Sequence, residues 1–182
     1  MDRRQFLATG VGLAALAAAT PALAISKRRI SELEVEAKEA MVRFRNVEPN
    51  IDNYLAAAYA YAIFPSIKKG GLVFGAAGGR GLVYREGKLI GTTKASQVTF
   101  GAQIGGQSFG QLLLFRDEPA FELFKLGKSN FGAAASAVAA SEGTATTSDY
   151  VRGVRVLTVA GNGLMAEAAI GSLKYTYSPL GE

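Results

Sequence analysis

The spacing of apolar positions changes once along this chain, near residue 71, and divides it into a helical front and a strand-rich remainder. Ile30, Leu33, Ala37, Met41 and Phe44 recur every three or four residues, the spacing of one helix face. Glu32, Glu36, Glu39, Arg43 and Arg45 fill the other sides, and Ser31 with Glu34 three residues on has the form of a capping box. The pattern therefore predicts a first helix opening at Ser31. Glu48-Pro49 opens a second, with proline in a tolerated first-turn position and a body over residues 51–62 that stops before Pro65. Tyr54, Tyr59, Tyr61 and Phe64 then read as core on helical spacing.

Beyond Gly71 the period falls to two. Strands are expected at 72–76, 81–84, 88–93, 97–103 and 107–115, with Arg85-Glu86-Gly87 as the tight turn between the second and third. Asp117-Glu118-Pro119 predicts a short helix over AFELFK, stopped by Gly127. The segment 131–140 reads equally as helix, for its alanines, or as a strand of small residues. Strands at 150–159, 164–170 and 173–177 follow, with Gly161-Asn162-Gly163 as a hairpin turn. Helices followed by a run of short strands, without βαβ alternation, predict an α+β fold. The expected form is a β-rich curled sheet or small barrel of about eight strands, with N-terminal helices and one short inserted helix.

The start of the chain changes the compartment. Residues 1–24 have a basic beginning, a soft apolar middle and a small-residue end at Ala22-Leu23-Ala24, the form of a cleaved export signal. Arg3-Arg4-Gln5-Phe6-Leu7 makes it resemble a twin-arginine signal, although Ala8 stands where a lysine is usual. The expectation is a single domain over 25–182, exported to the periplasm. The chain has no cysteine, so packing alone must hold that domain together. Loss of residues 1–24 removes Arg3, Arg4 and Asp2 and leaves a net charge of +4, too small an excess to argue for nucleic acid.

Twelve of the 22 glycines lie between Gly70 and Gly110, which makes IFPSIKKGGLVFGAAGGRG the architectural centre. GAAGGRG could pass for a phosphate-binding loop, but LVYR after it is strand rather than the helix such a loop needs. Ser66-Ile67-Lys68-Lys69 matches the S-x-x-K of serine acyl-transfer enzymes, a motif that works on a helix; Pro65 and Gly70-Gly71 bracket this one. Without histidine or cysteine the usual general base, thiol nucleophile and zinc ligands are missing. Glu118 and Glu122, one helical turn apart, read as a solvated face. The expectation is a protein that is not an enzyme and takes no cofactor, nucleotide or nucleic acid.

AIFPSIKKGG with its following GGRG, TFGAQIGGQSFGQLLLF, FELFK, NFGAAASAVAASEG and GNGLMAEAAIGSLKY together resemble the SYLF domain family. The blocks cover residues 33–177, nearly all of the chain after the leader. The resemblance implies a compact β-rich domain with flanking helices that binds lipid. Phosphoinositides are the ligands of its eukaryotic members, some of which also bind actin. It also implies membrane contact through a basic segment ahead of the domain, matched here by Lys27, Arg28 and Arg29; Glu32, Glu34, Glu36 and Glu39 follow at once and oppose an anionic surface. The expected lipid-binding residues are thus Lys27, Arg28, Arg29, Lys68, Lys69 and Arg80, and the expected partner is an anionic phospholipid membrane surface. Arg85, Lys88 and Lys94 read as ordinary solvated surface. An envelope protein-interaction domain and a small outer-membrane barrel are the alternative readings.

Overall fold

The computed structural model describes residues 26–71, 74–100, 107–128, 150–160, 163–164 and 173–180. The expected leader, the ambiguous segment 131–140, most of the strand expected at 164–170 and the turn residues 161–162 lie outside them. Helix α1 (Lys27–Val47) starts earlier than the capping box predicts. The Ser26 hydroxyl accepts from the Arg29 backbone N–H at 3.3 Å and caps it, whereas the Ser31 hydroxyl donates to the Lys27 carbonyl. Lys27, Arg28 and Arg29 therefore form the first helical turn, where the helix dipole disfavours positive charge. Glu32 offsets this by pairing with both Arg28 and Arg29.

Helix α2 (Ile51–Ala57) stops short of the predicted end at residue 62, because residues expected to complete it form strand β1 (Ala60–Gly71). Ala60, Ala62 and Phe64 alternate with Tyr61 and Ile63, a period of two, and both sets are covered. That double burial removes the polar alternation by which a strand is usually read. Pro65 lies where β1 shifts register against both neighbours, a bulge that accommodates a residue without a backbone donor.

Strands β2 (Phe74–Arg85) and β3 (Lys88–Phe100) are each one long element where the pattern divides them in two. Glu86 and Gly87 join them with φ of 51° and 73°, the two left-handed residues of the expected tight turn. Gly79 and Gly81 let β2 pass close under the bulge. A Cβ on Gly81 would stand 2.6 Å from the Ile63 carbonyl oxygen and 2.9 Å from a Phe64 ring carbon.

After β4 (Gln107–Phe115) comes α3 (Glu118–Lys125), then β5 (Val154–Ala160), β6 (Gly163–Leu164) and β7 (Lys174–Pro179). The seven strands form one sheet in the order β6-β5-β4-β1-β2-β3-β7, with antiparallel pairing throughout. Among the described residues the sheet is open, with β6 and β7 at its edges. The α+β class stands; among the described residues the sheet is not closed into a barrel and has seven strands where about eight were expected. Helices α1 and α2 cover one face through Leu33, Ala37, Phe44 and Ile51, packed on Ile63, Leu82, Leu112 and Leu157. Helix α3 covers part of the other face, where Phe121 and Phe124 pack with Phe115 and Tyr175. Tyr59 and Phe64 join the core on that side and Tyr54 and Tyr61 on the helix side, so these aromatics are core as expected, but Tyr59, Tyr61 and Phe64 do not lie on a helix.

The start of α3 is as expected: Asp117 accepts from the Ala120 N–H at 3.0 Å, and Gly127 takes φ of 65° just past the end. The Ala120 N–H, followed by Arg116, holds the Asp117 carboxyl below its ordinary pKa. A lowered folded-state pKa gives stability that is present above the unfolded value of about 4 and is lost as pH falls through the folded value. Asp117→Asn is therefore expected to lower the melting temperature at neutral pH and to shrink the wild-type difference on acidification, as thermal melts across pH would record.

Candidate functional site

Alternation along four strands places polar residues on the helix-covered face beside one flank of α1. Ser66 and Lys68 come from β1, Gly78 and Arg80 from β2, Lys94 and Ser96 from β3, and Thr176 from β7. With Arg29, Leu33 and Glu36 of α1 they line a groove of about 520 Å³. Gly78 keeps its floor bare, since a Cβ there would meet only the Ala95 carbonyl oxygen, at 3.7 Å.

The charge in this groove is one-sided. Arg29, Lys68, Arg80 and Lys94 line it, against the single carboxylate of Glu36. Arg80 and Lys94 are direct cross-strand neighbours, a like-charge pairing that costs a sheet stability. Neither they nor Lys68 have an acidic partner among the described residues, and all three are exposed. Arg29 is shared with Glu32 at 3.0 Å. Converging Lys and Arg donors in a concave setting raise the local concentration of anions and match phosphate oxygens.

Three of the six expected residues, Arg29, Lys68 and Arg80, meet in this groove. Lys27 and Arg28 do not line it; both are exposed on the first turn, and Arg28 is paired with Glu32. Lys69 points to the opposite side of the sheet, two residues after the core residue Ile67 and opposite Ala77. Lys94, read from the sequence as plain surface, is a full member. Its signal was the two-residue turn at Glu86-Gly87. Counting outward from that turn sets Arg80 against Thr93, and the register shift after Val83 moves the partner to Lys94.

A smaller cavity of about 270 Å³ adjoins the groove at Ser66 and is lined also by Arg43, Pro65, Ser108, Phe109, Gly110 and Val159. Within it the Ser66 and Ser108 hydroxyls are hydrogen-bonded at 2.8 Å, and Arg43 Nη2 donates to the Pro65 carbonyl at 2.9 Å. Ser66 and Lys69 of the S-x-x-K match stand on opposite faces of β1, as an i,i+3 pair on a strand must, so the lysine is not set over the serine. GAAGGRG runs wholly inside β2 and opens no helix. Among the described residues no helix is long and apolar enough to cross a membrane.

No protein-family model matches the chain. Over 139 residues it is similar, at 27% identity, to beta cell expansion factor A of Aeromonas veronii. The aligned part is 76% of this chain and 53% of that protein, so the chain spans about half the length of the relative it matches.

Proposed function

We propose that this chain is a non-enzymatic module that holds the phosphate of anionic phospholipid in the basic groove beside α1, in the periplasm after loss of residues 1–24. The observation that carries the reading is the convergence of Arg29, Lys68, Arg80 and Lys94 on one groove with a single opposing carboxylate. A like-charge pair set directly across a sheet works against stability, and an anionic ligand relieves it. The resemblance to SYLF domains supports the same class of ligand.

The magnitude expected is modest. Each lysine or arginine near an anionic surface contributes about 1 kcal/mol, so four give attachment of roughly millimolar strength that weakens as salt is added. Co-sedimentation with phosphatidylglycerol vesicles, against phosphatidylcholine vesicles and at rising salt, tests the reading. Sedimentation with the anionic vesicles alone is expected; none at low salt would sink the proposal. Glu36 supplies a further check, because it is the one lining residue that repels an anion. Glu36→Gln is expected to tighten binding about fivefold, and an unchanged midpoint in a vesicle titration would remove the phosphate from this groove.

A further inference from the structure

The small cavity beside the groove bears on which headgroup fits. It has the lining residue Ser66 in common with the groove, so a ligand with phosphate among Lys68, Arg80 and Lys94 that extends past Ser66 brings whatever its phosphate carries to this cavity. The side chains there have a definite chemistry. Ser66 and Ser108 are mutually bonded hydroxyls, and such a pair keeps one free donor hydrogen and open lone pairs for a third group. Arg43 is fixed by the Pro65 carbonyl and brings positive charge. None of the seven lining residues is acidic.

An ammonium group placed here would meet Arg43 with no carboxylate to pair it, so an amine headgroup is disfavoured. A bare alkyl ester would leave the two serine hydroxyls unused. A hydroxylated alcohol both donates and accepts, and the cavity has room for about nine waters' worth of ligand, enough for a short polyol. Building on the lipid reading, we infer that the ligand is a phosphodiester of a polyol, with the phosphate on the cations and the alcohol hydroxyls on Ser66 and Ser108. A glycerol-bearing phospholipid headgroup is the source to which the groove's basic rim points.

The test holds charge constant. Vesicles of phosphatidylglycerol and of phosphatidylmethanol carry the same single negative charge per headgroup, and only the first offers hydroxyls. The wild-type chain is expected to prefer phosphatidylglycerol about threefold to tenfold, the worth of one hydrogen bond or so. In Ser66→Ala/Ser108→Ala the preference is expected to fall to parity through loss of the hydroxyl contacts made by phosphatidylglycerol. Equal binding by the wild type, or a preference that survives the double substitution, overturns the polyol assignment and leaves the lipid reading standing. Calorimetric titration with soluble glycerophosphoglycerol separates the sources. Binding of that solute, lost in the double variant, without binding to either vesicle supports the polyol phosphate and overturns the lipid surface. No binding to any of the three probes overturns both.

Discussion

Replacing Lys68, Arg80 and Lys94 together by glutamine is expected to abolish sedimentation with phosphatidylglycerol vesicles while leaving the fold as stable as before or more so. Three lost charges at about 1 kcal/mol each amount to roughly a hundredfold weaker attachment. Stability moves the other way, because Arg80 and Lys94 oppose one another across β2 and β3 and neither has an acidic partner among the described residues. The comparison that gives this meaning is Lys27→Gln/Arg28→Gln/Lys69→Gln, which removes as many charges from outside the groove. That variant is expected to keep most of its vesicle binding. If both triples lose binding equally, net charge rather than the groove attracts the membrane. If the groove triple melts well below the wild type, the cations are structural.

Phe124→Ala is expected to cost about 3–5 kcal/mol, the usual range for a fully buried phenylalanine. The ring is fully buried and lies with its centroid 4.8 Å from that of Phe115, 6.1 Å from Tyr175 and 6.3 Å from Tyr177. It thus ties α3 to β4 and to the edge strand β7 at once. A domain of this size is stable by about 5–15 kcal/mol, so the change removes a large share of the total. Urea unfolding followed by far-ultraviolet circular dichroism measures it. Leu123→Ala, one residue away and 44% exposed, is the matched control and is expected to stay within about 0.5 kcal/mol of wild type. A small loss at Phe124 would mean that α3 is not integral to this core.

Much of the fold was legible where local chemistry decides it. Asp117, Pro119 and Gly127 delimit α3 by capping, first-turn geometry and a left-handed stop, and Glu86-Gly87 makes its turn from two residues alone. The misreadings fall where tertiary context decides. Between residues 58 and 62 alanine and tyrosine suit a helix by continuation of α2 and a strand by alternation; burial on both sides of β1 selects the strand from Ala60 on. Ser31 carries the capping-box pattern with Glu34, yet Ser26 is the cap used, its hydroxyl accepting from the Arg29 N–H. Of the two expected forms, curled sheet or small barrel, the barrel is not met among the described residues, where closure would need pairing between β6 and β7 and these lie at opposite edges of the sheet. The site was half legible. Basic residue types mark Arg29, Lys68 and Arg80 as candidates, but their convergence with Lys94 depends on a register shift that composition does not encode.

The bulge at Pro65 has a consequence for identity as well as shape. Side chains alternate along a strand, so in a regular β1 with Phe64 in the α3-side core, Lys68 would follow it into that core. Ile67 and Lys69 would then face helix α1. The extra residue reverses the parity of everything after it. Phe64 and Ile67, three apart, share one face, and Lys68 rather than Lys69 is handed to the groove. The choice between two adjacent, chemically identical lysines is thus made upstream of both, by a proline that touches neither role. In this strand the odd residue works as a counter, and chain length before the lysines, more than their own chemistry, decides which of them enters the groove.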